Sequence, residues 1–173
     1  MADGVRGKQY LAFDSEIQKG IVLHRAIDTF TDAHPLFRKC TKRLHPQYHH
    51  YSGVIVDVFF DHFLAKNCNK YSEITLEDFV NNFYTSLTIF ETHLTEKAKM
   101  MKPYMIQQNW LLSYQSIDGI EKILTQMDRR TKNRSMMRNS VTELKQYYTE
   151  FEDDFKDFFR ELLDFSSNKL LTL

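Results

Sequence analysis

Apolar residues recur along this chain with the spacing of helices. Ile17, Ile21, Leu23, Ile27 and Phe30 follow a period near 3.6, and Ser15-Glu16-Ile17-Gln18 has the form of a capping box, so a helix is expected to open there. His34-Pro35 ends it, because proline disfavours helix in the residue before it, and Pro35 is suited to the first position of a short basic helix, roughly 36–44, that Pro46 closes. The stretch 51–64 is the most apolar, with Val54, Ile55, Val56, Val58, Phe59, Phe60, Phe63 and Leu64 surrounding Asp57, Asp61 and His62. Its β-branched run is also compatible with a strand. A helix buried on most sides is the better reading, since Asp57 and Asp61 are four apart and no other segment offers a partner strand.

Thr75 with Asp78 caps a further helix to about residue 90, and Pro103 is expected to open one through Trp110 and Tyr114. Ser116 or Asp118 caps another to about Arg130. The remainder, from Ser135 or Ser140 to about Phe165, reads as one long amphipathic helix carrying Leu144, Phe151, Phe155 and Phe158. With no repeat or linker in between, residues 1–173 form one all-α, multi-helix domain.

Composition supports that class. Only 5 glycines and 3 prolines argue against a turn-rich β fold, and 14 Phe with 9 Tyr predict a core filled by rings. Lys and Arg number 23, as do Asp and Glu, so no global field recruits nucleic acid or a membrane surface. No apolar run is long enough to span a bilayer. Cys40 and Cys68 are too few for a disulfide framework or a zinc ribbon and suit a reducing cytoplasm.

Four groups of residues carry candidate chemistry. His24, Asp28 and Asp32 are spaced by four and make a column of one imidazole and two carboxylates on a single helix face. An exposed polar stripe with Arg25 screening the acids is the simpler reading of that run alone. Asp57, Asp61 and His62 lie inside the most apolar segment, where ionised carboxylates need a partner or a metal. Pairing of Asp57 with Arg25 or Arg43, and a satisfied core histidine at 62, remain open. Asp3 and Arg6 sit in a turn-like opening, Ala2 to Gly7. Arg129, Arg130, Lys132, Arg134 and Arg138 form a basic cluster, either a solvated loop or a docking surface for an acidic partner. There is no phosphate-binding glycine loop, no HExxH, no CxxC and no nucleophile elbow. Asn109-Trp110 reads as packing.

Taken together, Ala2-Asp3-x-Val5-Arg6-Gly7, the run from Gly20 to Pro35 with His24-Arg25-x-Ile27-Asp28-x-Phe30-Thr31-Asp32, and Asp57-x-x-x-Asp61-His62-Phe63-Leu64 resemble the acyl carrier protein phosphodiesterase family. Asn109-Trp110-Leu111, Gly119-Ile120-Glu121, Met127 and Arg129-Arg130 extend the likeness to about residue 165. The resemblance implies an all-α fold related to the HD-type metal-dependent phosphohydrolases. It implies hydrolysis of the phosphodiester joining 4′-phosphopantetheine to a serine of holo-acyl carrier protein, with Mn²⁺ or else Mg²⁺ as cofactor. On it, Asp3, His24, Asp28, Asp32, Asp57, Asp61 and His62 are the catalytic set, with His24, Asp28, Asp61 and His62 as metal ligands. Arg6, Arg25 or Arg43 would clamp the phosphate, and Arg129, Arg130, Lys132 and Arg134 would dock the carrier protein. Family members begin about twenty residues earlier, with a histidine-bearing helix. A chain starting at Met1 would therefore lack that histidine and expose an apolar groove that favours a homodimer. A related phosphohydrolase acting on a nucleotide or small diester, and a non-catalytic protein-binding module, are the alternatives.

Overall fold

The computed structural model describes residues 4–173. Among the described residues there is no strand. Ten α-helices follow in order: α1 (Ser15–Ala33), α2 (Pro35–Tyr48), α3 (Ser52–Lys66), α4 (Cys68–Tyr71), α5 (Leu76–Ile89), α6 (Glu96–Gln107), α7 (Trp110–Ser113), α8 (Ile117–Arg130), α9 (Val141–Gln146) and α10 (Tyr148–Leu170).

The core is a lattice of aromatic rings where α2, α3, α8 and α10 meet. α3 lies at its centre. Ile55, Val56, Phe59 and Phe63 are fully buried, each side chain contributing on the order of 1.5–3 kcal/mol by leaving water. Phe59 meets Phe151 edge-on at 5.1 Å, and Phe60 meets Phe155 at 5.4 Å. α3 leaves Val54, Asp57 and Asp61 exposed along one stripe, with Lys66 exposed at its last residue. The strand-like composition of this segment thus reflects burial on most sides, and its two acids lie on a face turned to water.

α1 leans on α10 through Phe30, which stacks on Phe165 at 4.5 Å. His34 joins α1 to α2. Its Nδ1 accepts the Leu36 N–H at 3.3 Å, so Nε2 carries the proton and donates to Glu161 of α10 at 3.2 Å. Behind it, the Cys40 thiol is buried against Asp154, which also pairs with Lys39 at 2.7 Å. Burial, then the Asp154 charge, pushes this thiol up to about 12.

Several boundaries differ from those the sequence predicts. α1 is preceded by Asp14 with no side-chain cap, and Gln18 instead donates to the Phe13 carbonyl at 2.8 Å. Pro46 sits inside α2 and Pro103 inside α6, neither closing nor opening a helix. Each removes one backbone donor, but burial of Leu44 and Tyr48 carries α2 through to residue 48, where the Tyr48 hydroxyl donates to Glu143 at 2.9 Å. Thr95, not Pro103, starts α6, its hydroxyl accepting the Ala98 N–H at 3.3 Å. Asn109, left-handed at φ 47°, separates α6 from α7. The long final helix is broken at Tyr147 into α9 and α10. The caps at Thr75 and Ser116 stand as predicted. Gly119 is required by close approach, since a Cβ there would collide with the Ser113 carbonyl where α8 crosses α7.

Candidate functional site: an acid-lined recess

Two helices supply the acids. On α1, His24 Nδ1 stands 2.9 Å from Asp28 Oδ2, one turn on, and Asp32 follows after another turn. On α3, Asp57 and Asp61 occupy the exposed stripe. The two sets lie within electrostatic reach of each other through Asp57 and border a shallow recess. Burial pushes Asp57 up to about 6, and the charges of Asp32 and Asp28 add to it. Burial pushes Asp61 up to about 7, with a further contribution from Asp57. Both carboxyls still reach solvent, so they line an open recess and not a sealed cavity. Among the described residues, no lysine or arginine forms an ion pair with Asp57 or Asp61, so the arginine pairing open at the sequence level is not made.

Tyr114, which caps the C-terminal end of α7, closes the far side. Burial and then the charges of Asp61 and Asp57 push its phenol up, so it stays protonated. Sequence reasoning did not single out Tyr114. It lies 53 residues beyond Asp61, and no local spacing announces it.

Two of the three candidate arginines, Arg25 and Arg43, are engaged within the fold. Arg25 donates to the Gly7 carbonyl at 2.9 Å and the Val5 carbonyl at 2.6 Å, and it lies 5.2 Å over the Tyr10 ring. It is a buttress that holds the segment before α1 against the acid face. Gly7, at φ 51°, provides the turn. Arg6 is exposed on that same segment, its backbone N–H donating to Gln9 Oε1 at 2.9 Å. Asp3 lies outside the described residues. Arg43 packs over Tyr147 at 5.0 Å and Phe151 at 5.1 Å, and its Nη1 is buried without a hydrogen-bond partner among the described residues.

His62 is a second correction. Its Nδ1–H donates to the Tyr114 carbonyl at 2.8 Å, because a carbonyl can only accept. Its Nε2 is therefore the acceptor, taking the Tyr148 hydroxyl at 2.8 Å, and Lys66 Nζ in turn donates to Tyr148 at 2.8 Å. Both ring nitrogens are engaged and burial pushes the imidazole's pKa down, so His62 has no lone pair left for a metal. Adjacent residues on a helix point about 100° apart: Asp61 turns to the recess, and His62 turns inward to fix Tyr114 beside it.

Among the described residues, no three His, Cys, Asp or Glu side chains stand close enough to hold an ion as they are. The basic cluster also divides. Arg138 serves the fold, its Nε lying 3.4 Å from Oδ2 of the buried Asp128, which also accepts the Ser135 hydroxyl at 2.7 Å. Lys132 takes a left-handed turn after α8. Arg129 and Arg130 are exposed on the last turn of α8, and Arg130 lies 5.9 Å over the Trp110 ring.

Helical fold and site together define an all-α protein with a carboxylate-lined recess open to solvent between two of its helices, and no described helix is long and apolar enough to cross a membrane. The chain belongs to the acyl carrier protein phosphodiesterase family, whose model matches residues 1–162. It is 28% identical over 170 residues to the acyl carrier protein phosphodiesterase of Photorhabdus laumondii, covering 98% of this chain and 86% of that protein. It is 28% identical over 172 residues to that of Klebsiella pneumoniae strain 342, covering 99% and 89%, and 27% identical over 170 residues to that of Yersinia pestis, covering 98% and 88%. No solved structure gives a significant match.

Proposed function

We propose that the recess hydrolyses the phosphodiester joining 4′-phosphopantetheine to the serine of holo-acyl carrier protein. Water adds across the bond between phosphorus and the serine oxygen. The serine hydroxyl leaves on apo-carrier protein, and the phosphate stays with the released pantetheine. The observation that carries this reading is the coupling of Asp57 of α3 to Asp28 and Asp32 of α1 and of Asp61 to Asp57, without a neutralising lysine or arginine among the described residues on the α3 pair, in a chain of this family. The relatives' shared name favours the carrier-protein diester over a nucleotide.

The donor set fits a divalent cation. Desolvated carboxylates that raise one another's pKa are relieved by a positive ion, and carboxylate oxygens with one imidazole suit Mn²⁺ or Mg²⁺ better than a thiolate site would. His24, Asp28 and Asp61 would hold it, with Asp32 and Asp57 alongside. When bound, such an ion supplies Lewis acidity at the phosphoryl oxygen and acidifies water. The remaining steps belong to the chain. A carboxylate not spent on the ion accepts the proton of the attacking water. Arg6, on the segment Arg25 anchors, supplies a guanidinium for the non-bridging oxygens. Tyr114, held protonated, presents a neutral hydroxyl at the recess wall. The two free thiols, Cys40 and Cys68, are in keeping with a cytoplasmic setting.

The test is incubation of holo-acyl carrier protein with the purified protein and Mn²⁺, read by intact mass. Loss of the phosphopantetheine mass is expected from the wild type and not from Asp28→Asn or Asp61→Asn. A folded wild type that releases nothing with either Mn²⁺ or Mg²⁺ refutes the proposal.

A further inference from the structure

A groove of about 600 Å³ runs between α6 and the end of α8, away from the acids. Its floor is apolar, made by Met100, Met101, Tyr104 and Trp110. Met100 is 67% exposed and Tyr104 59%, an unusual degree for side chains of this size lying side by side. The rim carries Lys97, Arg129 and Arg130, and no acid lines the groove. That imbalance is local, because the whole chain holds 23 basic and 23 acidic residues. The indole of Trp110 is fixed by donating to Gln108 at 2.9 Å and by Arg130 above its ring.

We propose that this groove docks an acidic amphipathic helix of the carrier protein, apolar residues on the floor and carboxylates against Lys97, Arg129 and Arg130. The proposal takes the partner's identity from the phosphodiesterase reading; the partner's chemistry follows from the groove. Charged rims around apolar contacts steer encounter and fix orientation. The groove is also placed to deliver a substrate. Trp110 opens α7 on the groove side, and Tyr114 ends it beside Asp61 and Asp57. Four residues of helix span about 6 Å. A partner seated over Trp110 therefore presents its serine-bound phosphodiester, which lies at the carrier surface, to the end of α7 that borders the acid recess. The surface narrows the basic cluster to its α8 members: Lys132 and Arg134 do not line the groove.

Trp110 is the one tryptophan of the chain, so its fluorescence reports docking without any need for catalysis. Apo-acyl carrier protein is titrated into the wild type under tryptophan-selective excitation, with Trp110→Phe as the blank. A saturable change in emission is expected. Arg129→Glu/Arg130→Glu weakens it about tenfold, Arg129→Gln/Arg130→Gln less, and added salt acts in the same direction. Both arginines are exposed, so these variants keep the fold. In parallel, kcat/KM for holo-carrier falls about tenfold in the charge reversal while hydrolysis of bis(p-nitrophenyl) phosphate is unchanged. Equal affinity of wild type and charge reversal, or no change in Trp110 emission, overturns the docking proposal. If neither diester is hydrolysed, the phosphodiesterase reading fails, and the titration still decides docking.

Discussion

The acids of α3 predict that this protein gives up stability for its site, and that the loss depends on pH. Asp57 and Asp61 are raised from 3.8 to about 6 and about 7, chiefly by burial and then by neighbouring carboxylates. A group whose folded pKa lies above its unfolded value favours the folded state while protonated. Its contribution is fully present below the unfolded pKa and is lost as pH rises through the folded one. Here the window runs from about pH 4 to about pH 7, and stability falls across it. Each pH unit between unfolded and folded values corresponds to about 1.4 kcal/mol, which taken at face value would give on the order of 7 kcal/mol for the pair. Both side chains reach solvent, and screening reduces this to about 2–3 kcal/mol. The perturbation is Asp57→Asn/Asp61→Asn, which keeps shape and removes charge. Urea unfolding in a chelating buffer should find the double variant about 2–3 kcal/mol more stable than wild type at about pH 8, with the difference vanishing near pH 4. A variant that is equal or weaker at pH 8, or a difference that ignores pH, would show that these carboxylates are well solvated and that the recess is not strained.

Three further outcomes follow from contacts already described. His62→Ala strands the Tyr114 carbonyl and the Tyr148 hydroxyl and leaves a cavity, so it should lower unfolding free energy by about 2–4 kcal/mol, while Mn²⁺ affinity by calorimetry stays near wild type; a selective loss of metal binding would restore His62 as a ligand. Gly119→Ala drives a methyl into the α7 backbone and should cost about 1–3 kcal/mol in a urea titration, whereas the same change at the open Gly20 should be neutral or stabilising. Arg25→Met removes the donors to the Val5 and Gly7 carbonyls and should speed amide exchange over residues 5–12 more than in α3; unchanged exchange there would remove its role as a buttress.

The helices that local chemistry marks were legible in the sequence. Thr75 and Ser116 offered hydroxyls in the right register, and the crowding of apolar residues around Asp57 and Asp61 pointed to a helix buried on most sides. Pro46, Pro103 and the amphipathic pattern that continues across residue 147 misled because their effect is set by tertiary packing. Burial of Leu44 and Tyr48 outweighs one missing backbone donor, and a ring-packed Arg43 meets the chain at the break before α10. At the site, the columns His24-Asp28-Asp32 and Asp57-Asp61 could be read from a spacing of four. That they lie within electrostatic reach of each other is a fact of packing, to which only the family resemblance pointed. The residue type of His62 suggested a ligand, yet its position next to Asp61 already turned it toward another face. Arg43 and Tyr114 had no local signal at all, since their partners lie more than fifty residues away.

Cys40 has a practical consequence. A thiol whose pKa is driven to about 12 contributes almost no thiolate at neutral pH, and it is fully enclosed. Alkylating reagents are thereby confined to Cys68, partly open at the start of α4. The natural chain thus accepts a spin label or dye at a single address, just past the end of the helix that bears Asp57 and Asp61, with no cysteine needing to be engineered away.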